Sequence, residues 1–280
     1  MKSYLISIFL VFNMMANAHI EPPKTLKEKL KMEVEYAKKA SAGMRECFIK
    51  NKLPDGKEVA VVHYFYDCQG REERMYLFDA EGKIEAHVIQ VYDASGNLVL
   101  DADRSPEGLL KEMNVLGYDD DGLIWTITSY DSAWMISGKL TYEVRPETSE
   151  VFVSKINKDN GQEYSISYQY DGSIEDGDCI EIIQNDAQGS LKIRVENEFD
   201  TNGLRTKKHI YGPDNELSYS FFSTYNPNGD FATITQVDAE EKVIRTDTYT
   251  YNDKGFVSYL RVVKADGTIS AERVYEYVFE

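Results

Sequence analysis

The chain is poor in the residues that most often carry chemistry: 280 residues hold 3 cysteines, 4 histidines, 2 tryptophans and 7 prolines. Cys47, Cys68 and Cys179 cannot all pair within one molecule, and their scatter matches neither a disulfide scaffold nor a zinc site. One bridge, Cys47 to Cys68, suits an oxidising compartment, and three lone apolar thiols suit the spacing equally well. No apolar run approaches the roughly 20 residues a membrane-spanning helix needs. Basic charge is short as well, with 31 Lys and Arg against 48 Asp and Glu, a net charge of −17 spread along the chain. That balance excludes the basic face that nucleic-acid phosphates require and disfavours an anionic membrane surface, while it suits solubility. Catalytic signatures are missing too. There is no Gly-x-Ser-x-Gly elbow, His-Glu-x-x-His pair, phosphate-binding glycine loop or dinucleotide fingerprint. Carboxylates are so plentiful that no pair of them points to a glycosidase.

What is present begins with a leader. Lys2, the apolar run Tyr4 to Phe12 and the small-residue pattern Ala16-Asn17-Ala18 make the tripartite design of a secretory signal peptide. Cleavage after Ala18 exposes His19, and with no cysteine near that point a lipid-anchored precursor is unsupported. The expected location is extracytoplasmic, periplasmic or secreted. The lack of any Asn-x-Ser/Thr acceptor agrees with a bacterial source.

After residue 60 an aromatic residue is repeatedly followed by Asp or Asn and, three positions on, by Gly. The fullest copies start at Tyr66, Phe78, Tyr92, Tyr118, Phe199, Tyr225 and Tyr251. The glycines at 70, 82, 96, 122, 161, 189, 203, 229, 255 and 267 stand 12, 14, 26, 39, 28, 14, 26, 26 and 12 residues apart. Each interval is a small multiple of about 13, the length of a strand plus a short hairpin turn. In this unit the Asp or Asn side chain accepts from a backbone N–H two residues on, and Gly takes the left-handed conformation that closes a type I turn with a bulge. A β-branched residue at Gly203 or Gly255 is therefore expected to damage the fold. The last strand alternates, with Ile269, Ala271, Arg273, Tyr275, Tyr277 and Phe279 on one face. Ile84 to Tyr92 is apolar on both faces, so part of the sheet is expected to be covered on both sides.

Residues 24 to 46 adopt another period. Leu26, Leu30, Val34, Ala37 and Met44, with Tyr36 and Ala40 alongside, mark one amphipathic helix packed on the sheet near the first strands.

The aromatic-Asp-x-x-Gly turn resembles the YD repeats of the RHS and teneurin-like family, large exported or cell-surface proteins whose hairpins wind into β-rich spirals or shells. The resemblance covers about residues 60 to 280. Only Gly70-Arg71 keeps that family's common Arg after Gly; Lys83, Asn97, Leu123, Leu204, Asp230 and Phe256 stand at the equivalent places. No Asp-Pro-x-Gly core boundary or appended toxin domain appears. The resemblance therefore implies repeat architecture without toxin delivery.

Candidate sites are few. His19 with His63, His87 or His209 is a weak copper-site pattern set against a plain chain terminus. Asp119 to Asp121, and Asp171 with Glu175, Asp176 and Asp178, miss the calcium-loop spacing and read as turn chemistry. The aromatic column Tyr66, Phe78, Tyr92, Tyr118, Tyr130, Tyr170, Phe199, Tyr211, Tyr225 and Tyr251 reads mainly as cross-strand packing. The expected binding surface is Trp125, Tyr130, Trp134 and Tyr118, around the apparent irregularity from Ser129 to Gly138. No residue is assigned to catalysis, a cofactor or a metal.

The resulting expectation is an all-β fold, an extended antiparallel meander of about 13-residue strand-turn repeats forming a curved sheet, spiral or open barrel, with one N-terminal amphipathic helix. Residues 1–18 form the signal peptide, 19–57 the N-terminal helix segment and 58–280 the β-repeat domain. The functional expectation is an exported non-enzymatic protein presenting a binding or scaffold surface to an envelope protein or glycan. The alternative is a periplasmic hydrolase or metal-dependent enzyme with its site in the irregular centre. An outer-membrane barrel is disfavoured by strands near eight residues that contain Arg245, Asp247, Arg261 and Arg273.

Overall fold

A computed structural model describes residues 26–120, 122–157 and 161–280. The expected signal peptide and His19 lie outside them. One helix, α1 (Leu26–Ser41), precedes eighteen strands among the described residues. These are β1 (Met44–Lys52), β2 (Glu58–Tyr66), β3 (Glu72–Phe78), β4 (Ile84–Tyr92), β5 (Leu98–Arg104), β6 (Leu110–Tyr118), β7 (Ile124–Asp131), β8 (Ile136–Arg145) and β9 (Glu150–Asn157). The chain goes on through β10 (Gly161–Tyr170), β11 (Cys179–Asp186), β12 (Leu191–Phe199), β13 (Arg205–Tyr211), β14 (Leu217–Tyr225), β15 (Phe231–Asp238), β16 (Val243–Tyr251), β17 (Val257–Lys264) and β18 (Ile269–Phe279). Each strand pairs antiparallel with the next in sequence. β1 also pairs with β18, from Met44 opposite Phe279 to Asn51 opposite Arg273, so the meander closes into a barrel with no free edge. β1 falls inside the 19–57 segment: the helix ends at Ser41, and from Met44 onward the chain belongs to the barrel wall.

The turns carry the expected chemistry. In Asp200-Thr201-Asn202-Gly203-Leu204, the Asp200 amide donates to the Leu204 carbonyl at 2.9 Å and the Gly203 amide to the Asp200 carbonyl at 3.0 Å. Asp200 Oδ1 accepts from the amides of Asn202 at 2.8 Å and Leu204 at 2.9 Å. The Leu204 amide leads in holding this carboxyl below its ordinary range. The same pattern recurs at Asp67, Asp79, Asp131, Asp186, Asn226, Asp238 and Asn252. Gly203 and Gly255 have φ of 72° and 77°, the left-handed region that a β-branched residue avoids.

Turns alternate between the two ends of the barrel, so each end repeats every 26 residues or close to it. Gly70, Gly96, Gly122, Gly203, Gly229 and Gly255 lie at one end; Gly56, Gly82, Gly108, Gly189 and Gly267 lie at the other. Trp134, Asn215 and Glu241, at φ of 63°, 62° and 62°, occupy the glycine place at the second end. The stretch from Ser129 to Gly138 is therefore a regular hairpin and not an irregular centre. The real departures lie further along, in the single 3-10 turn Pro146–Thr148 and the longer connection of residues 171–178.

Inner and outer faces arise from the pleat. One face carries Val62, Leu77, Ala86 and Val88 in β2 to β4, and Leu140, Val153, Ile166, Tyr168, Ile182 and Val195 in β8 to β12, all buried. The ring-bearing residues that α1 touches lie on this same face, which makes it the interior. It is not wholly apolar. Asp103 stands opposite Glu112, with Asp101 opposite Asn114, and Asp247, Arg245 and Arg273 lie on the inner face of β16 and β18. The outer face carries ion pairs between and along strands, including Lys50–Glu276 at 2.6 Å, Arg145–Glu150 at 3.1 Å and Lys207–Glu198 at 2.8 Å.

Candidate functional site

Helix α1 lies across one mouth of the barrel. Its end is fixed by Gly43 (φ 68°), whose amide donates to the Ala40 carbonyl at 2.9 Å and whose carbonyl accepts from the Glu280 amide at 2.8 Å. A Cβ on Gly43 would meet the Glu280 carbonyl oxygen at 2.5 Å, so helix end and chain end are locked together.

The side of α1 facing the mouth is not the stripe that periodicity suggests. Leu30 and Val34 are exposed, and the half-buried positions are Lys29, Met32, Tyr36, Lys38, Lys39 and Ala40. The reason lies in what the mouth offers, a rim of aromatic rings and carboxylates. Lys38 Nζ sits 5.1 Å from the Phe256 ring centroid and donates to the Gly255 carbonyl at 2.9 Å. Lys39 Nζ stands 4.5 Å from the Tyr66 ring and 3.7 Å from Glu72. Lys29 Nζ is 5.6 Å from the Tyr118 ring, and Tyr36 shares a side-chain hydrogen bond with Tyr92. Lysine stems cover the rings while the ammonium groups meet π faces and oxygens, an amphipathic mode of packing that a hydrophobic count overlooks.

The rings belong to the repeat. The Tyr118 hydroxyl donates to the Leu98 carbonyl at 2.7 Å, Tyr225 to Arg205 at 2.6 Å, Tyr251 to Phe231 at 2.8 Å and Tyr277 to Val257 at 2.6 Å, always the residue 20 positions earlier. Burial pushes the Tyr118 and Tyr251 hydroxyls up to about 12 and shifts Tyr92 and Tyr66 upward as well. The predicted aromatic column thus separates into two sets. Tyr66, Tyr92, Tyr118, Tyr170, Phe199, Tyr225 and Tyr251 stand at the lidded end, and Phe78, Tyr130 and Tyr211 at the far end.

Two cavities open at the lidded mouth. The larger, about 950 Å³, is lined by Lys29, Met32, Tyr36 and Lys39 of the helix and by Gln69, Arg71, Gln90, Tyr92, Ser95, Asn97, Leu98, Leu116, Tyr118 and Ile124 of the barrel. Arg71 is held by Asp67 at 2.7 Å and covers one face of Tyr92 at 4.7 Å. The smaller cavity, about 280 Å³, lies by Lys31 and is lined by Cys179, Asn197, Arg205, Lys208, Tyr225 and Phe231. Asn197 Nδ2 donates to the Cys179 carbonyl at 2.9 Å, which fixes the amide orientation, and its buried Oδ1 has no hydrogen-bond partner among the described residues. A buried acceptor without a donor is costly, and a ligand or a water is the remedy.

Below the larger cavity lies the most perturbed carboxyl of the interior. Asp101 stands opposite Gln90, which lines the cavity, and burial, with Asp103 and Glu112 nearby, pushes it up to about 6.

The expected binding surface does not gather in one place. Tyr118 and Trp125 lie at the lidded end, Tyr118 inside the mouth and Trp125 exposed on the wall. Tyr130 and Trp134 lie at the far end of the same hairpin pair, roughly 20–25 Å away at a strand rise near 3.3 Å per residue. The mouth itself was missed by sequence reasoning. The signal that points to it is the 26-residue spacing of the tyrosines, which marks one end of a closed sheet.

The described histidines do not converge. His63, stacked 3.7 Å from Phe48, bonds Glu46 at 2.8 Å on β1 and β2; His87 is on β4. His209 on β13 contacts Ser220 Oγ at 2.8 Å through Nδ1 and Glu198 at 3.5 Å through Nε2, a hydrolase-like trio in outline. Ser220 is only 2% exposed on a sheet face, so its hydroxyl cannot meet a substrate. Among the described residues no group of His, Cys, Asp and Glu is arranged to hold a metal. No disulfide joins the three cysteines; Cys47 and Cys179 are buried, Cys68 is exposed on a turn, and burial raises the Cys47 thiol to about 12.

No family model matches the chain, and no curated relative shares detectable sequence similarity. Among solved structures it is similar to a porin-like protein from Bacteroides uniformis, with 13% identity over 85% of this chain and 97% of that one, at a TM-score of 0.45. It is also similar to a putative outer membrane lipoprotein-sorting protein domain from Vibrio parahaemolyticus, with 7% identity over 88% and 92% of the two chains, at a TM-score of 0.25.

Proposed function

We propose that this is an exported, non-enzymatic binding protein of the bacterial envelope, a closed β-repeat barrel that presents its helix-lidded mouth to a glycan. The carrying observation is the composition of that mouth. Tyr36, Tyr92 and Tyr118 stand beside the amides of Gln69, Gln90 and Asn97 in a cavity of about 950 Å³, with Asn197 Oδ1 an unmet acceptor in its neighbour. Rings for sugar C–H faces and amides for hydroxyls, in a volume within the usual range for small-ligand sites, are the groups such a ligand calls for. The YD-type repeat belongs to this reading as the architecture that sets tyrosines around one rim. The barrel does not span a bilayer in this reading, since a lipid-facing wall would desolvate ion pairs such as Lys50–Glu276 and Arg145–Glu150.

A glycan array probed with the purified chain, paired with a pull-down from envelope extract, tests it. Binding that falls in Tyr92→Ala and Asn197→Leu while thermal stability is kept supports the reading. No captured glycan, or capture that ignores both substitutions, overturns it.

The second reading, a hydrolase, draws on Asp101, which stands opposite the cavity-lining Gln90 and whose pKa, raised to about 6 by burial, suits a general acid. Turnover of a glycan panel that is abolished in Asp101→Asn would favour it.

A further inference from the structure

The far end of the barrel carries a feature that neither the fold nor the mouth requires. Nine hairpin connections lie there, and in the eight with a described turn the left-handed position is held by Gly, Asn or Glu except in the β7–β8 hairpin, where it is Trp134 at φ 63°. A bulky aromatic residue is among the poorest choices for that conformation. Trp134 gains little packing in return, being 62% exposed, and the next two residues, Met135 and Ile136, are 52% and 49% exposed. The adjacent β5–β6 hairpin adds Leu109 at 69% exposure. The two tips are neighbours because β6 pairs with β7, with Glu112 opposite Asp131 beside them, which puts the hairpins roughly 10 Å apart.

Elsewhere at this end the two residues after the left-handed position include a charged or hydroxyl side chain: Lys57, Lys83, Ser190, Glu216, Lys242 and Thr268. Ile84, Ile156, Val243, Ile244 and Ile269 are also 40–48% exposed at this end, but the most exposed apolar side chains gather on two neighbouring hairpin tips. Their polar groups turn back into the turns. Asp131 Oδ1 accepts the amides of Ala133 at 2.9 Å and Met135 at 3.0 Å, and Glu107 accepts from Ser105 Oγ at 2.7 Å.

We propose that these tips, Leu109 and Trp134-Met135-Ile136, are a shallow membrane anchor that inserts into the interface of a zwitterionic bilayer and holds the barrel with its lidded mouth facing away from the lipid. A convex apolar tip led by Trp fits the headgroup–acyl boundary, where an indole ring keeps an apolar body in hydrocarbon and its N–H in the polar layer. The net charge of −17 selects against an anionic surface, which leaves burial of apolar side chains as the driving force.

The residue that binds is also the residue that strains its turn, and the test exploits this. Trp125→Phe leaves Trp134 as the sole tryptophan. With phosphatidylcholine vesicles, its emission is expected to shift to the blue and to be quenched by lipids brominated high on the acyl chain; phosphatidylglycerol vesicles are expected to bind no better. Trp134→Gly is expected to reduce partitioning at least tenfold while its melting temperature stays equal to or above that of the parent, and Leu109→Lys is expected to weaken partitioning several-fold. Unchanged Trp134 emission with phosphatidylcholine overturns the proposal, as does partitioning that survives Trp134→Gly. A fall in melting temperature in Trp134→Gly overturns it too, because Trp134 would then be a packing residue. Protection of Trp134 by a co-purified envelope protein, with vesicles inert, would assign the tips to a protein partner instead.

Discussion

The two ends of the barrel are built from the same hairpin and have opposite characters. At the lidded end Tyr118, Tyr225 and Tyr251 send their hydroxyls to neighbouring carbonyls, lysines of α1 cover the rings of Tyr66 and Tyr118, and α1 crowds the glycines at 70, 122 and 255. At the far end the turns face open space, the left-handed position tolerates Asn, Glu and Trp, and the most exposed apolar side chains gather on two tips. A repeated unit therefore fixes its own turn geometry but not its surroundings. What packs against the end of a repeat decides how much each position matters.

Substituting equivalent glycines would show this difference most strongly. Gly70 and Gly189 have nearly the same φ, 78° and 80°, yet a Cβ at Gly70 would lie 2.2 Å from the Tyr36 carbonyl oxygen while one at Gly189 meets nothing within 4 Å. Gly189→Val is expected to cost about 1–3 kcal/mol, the strain of a left-handed residue alone. Gly70→Val is expected to cost several kcal/mol, roughly 3–5, by adding displacement of the helix. Denaturant unfolding of both variants checks it, and equal losses would mean that α1 does not seal that end.

Next in size is an effect of pH on the interior. Asp101 is raised to about 6 when folded, against about 3.9 when unfolded. The folded state binds the extra proton between those values, so this group's contribution to stability falls as pH rises from about 4 to 6 and stays low above it. Asp101→Asn is therefore expected to stabilise the protein by up to about 3 kcal/mol at pH 8 and by almost nothing at pH 4. Melting curves at the two pH values decide between this and a pH-independent effect.

A smaller change probes the rim. Tyr225→Phe and Tyr251→Phe each remove one hydroxyl-to-carbonyl bond and are expected to cost about 1 kcal/mol. Hydrogen exchange should rise at the lidded turns and not at the far ones. The smallest effect belongs to the far end, where Glu241→Gly relieves a left-handed residue and is expected to gain about 0.5–1 kcal/mol. A loss there would reveal a contact for Glu241 beyond its turn.

Much of the fold is legible in the sequence because its logic is short-ranged. The Asp200 turn closes within five residues, so its chemistry can be read from Asp and Gly alone. Ser149, Trp134, Asn215 and Glu241 escape a search for glycine because they take the same conformation without its signature. The mouth was hidden for a different reason. Lys29, Lys38 and Lys39 look like a solvated helix face until aromatic rings are placed beneath them, and Leu30 and Val34 look like a core stripe until the barrel is found on the other side.

By itself, then, the sequence determined the strand, the turn and the interval between turns, all consequences of forces acting over a dozen residues. The tertiary structure decided three further matters: that β1 meets β18 and closes the sheet, which face becomes the interior, and which side of α1 rests on the mouth. Each depends on twist and register accumulated over eighteen strands and on partners more than two hundred residues apart, such as Lys38 and Gly255, and no local pattern encodes those sums.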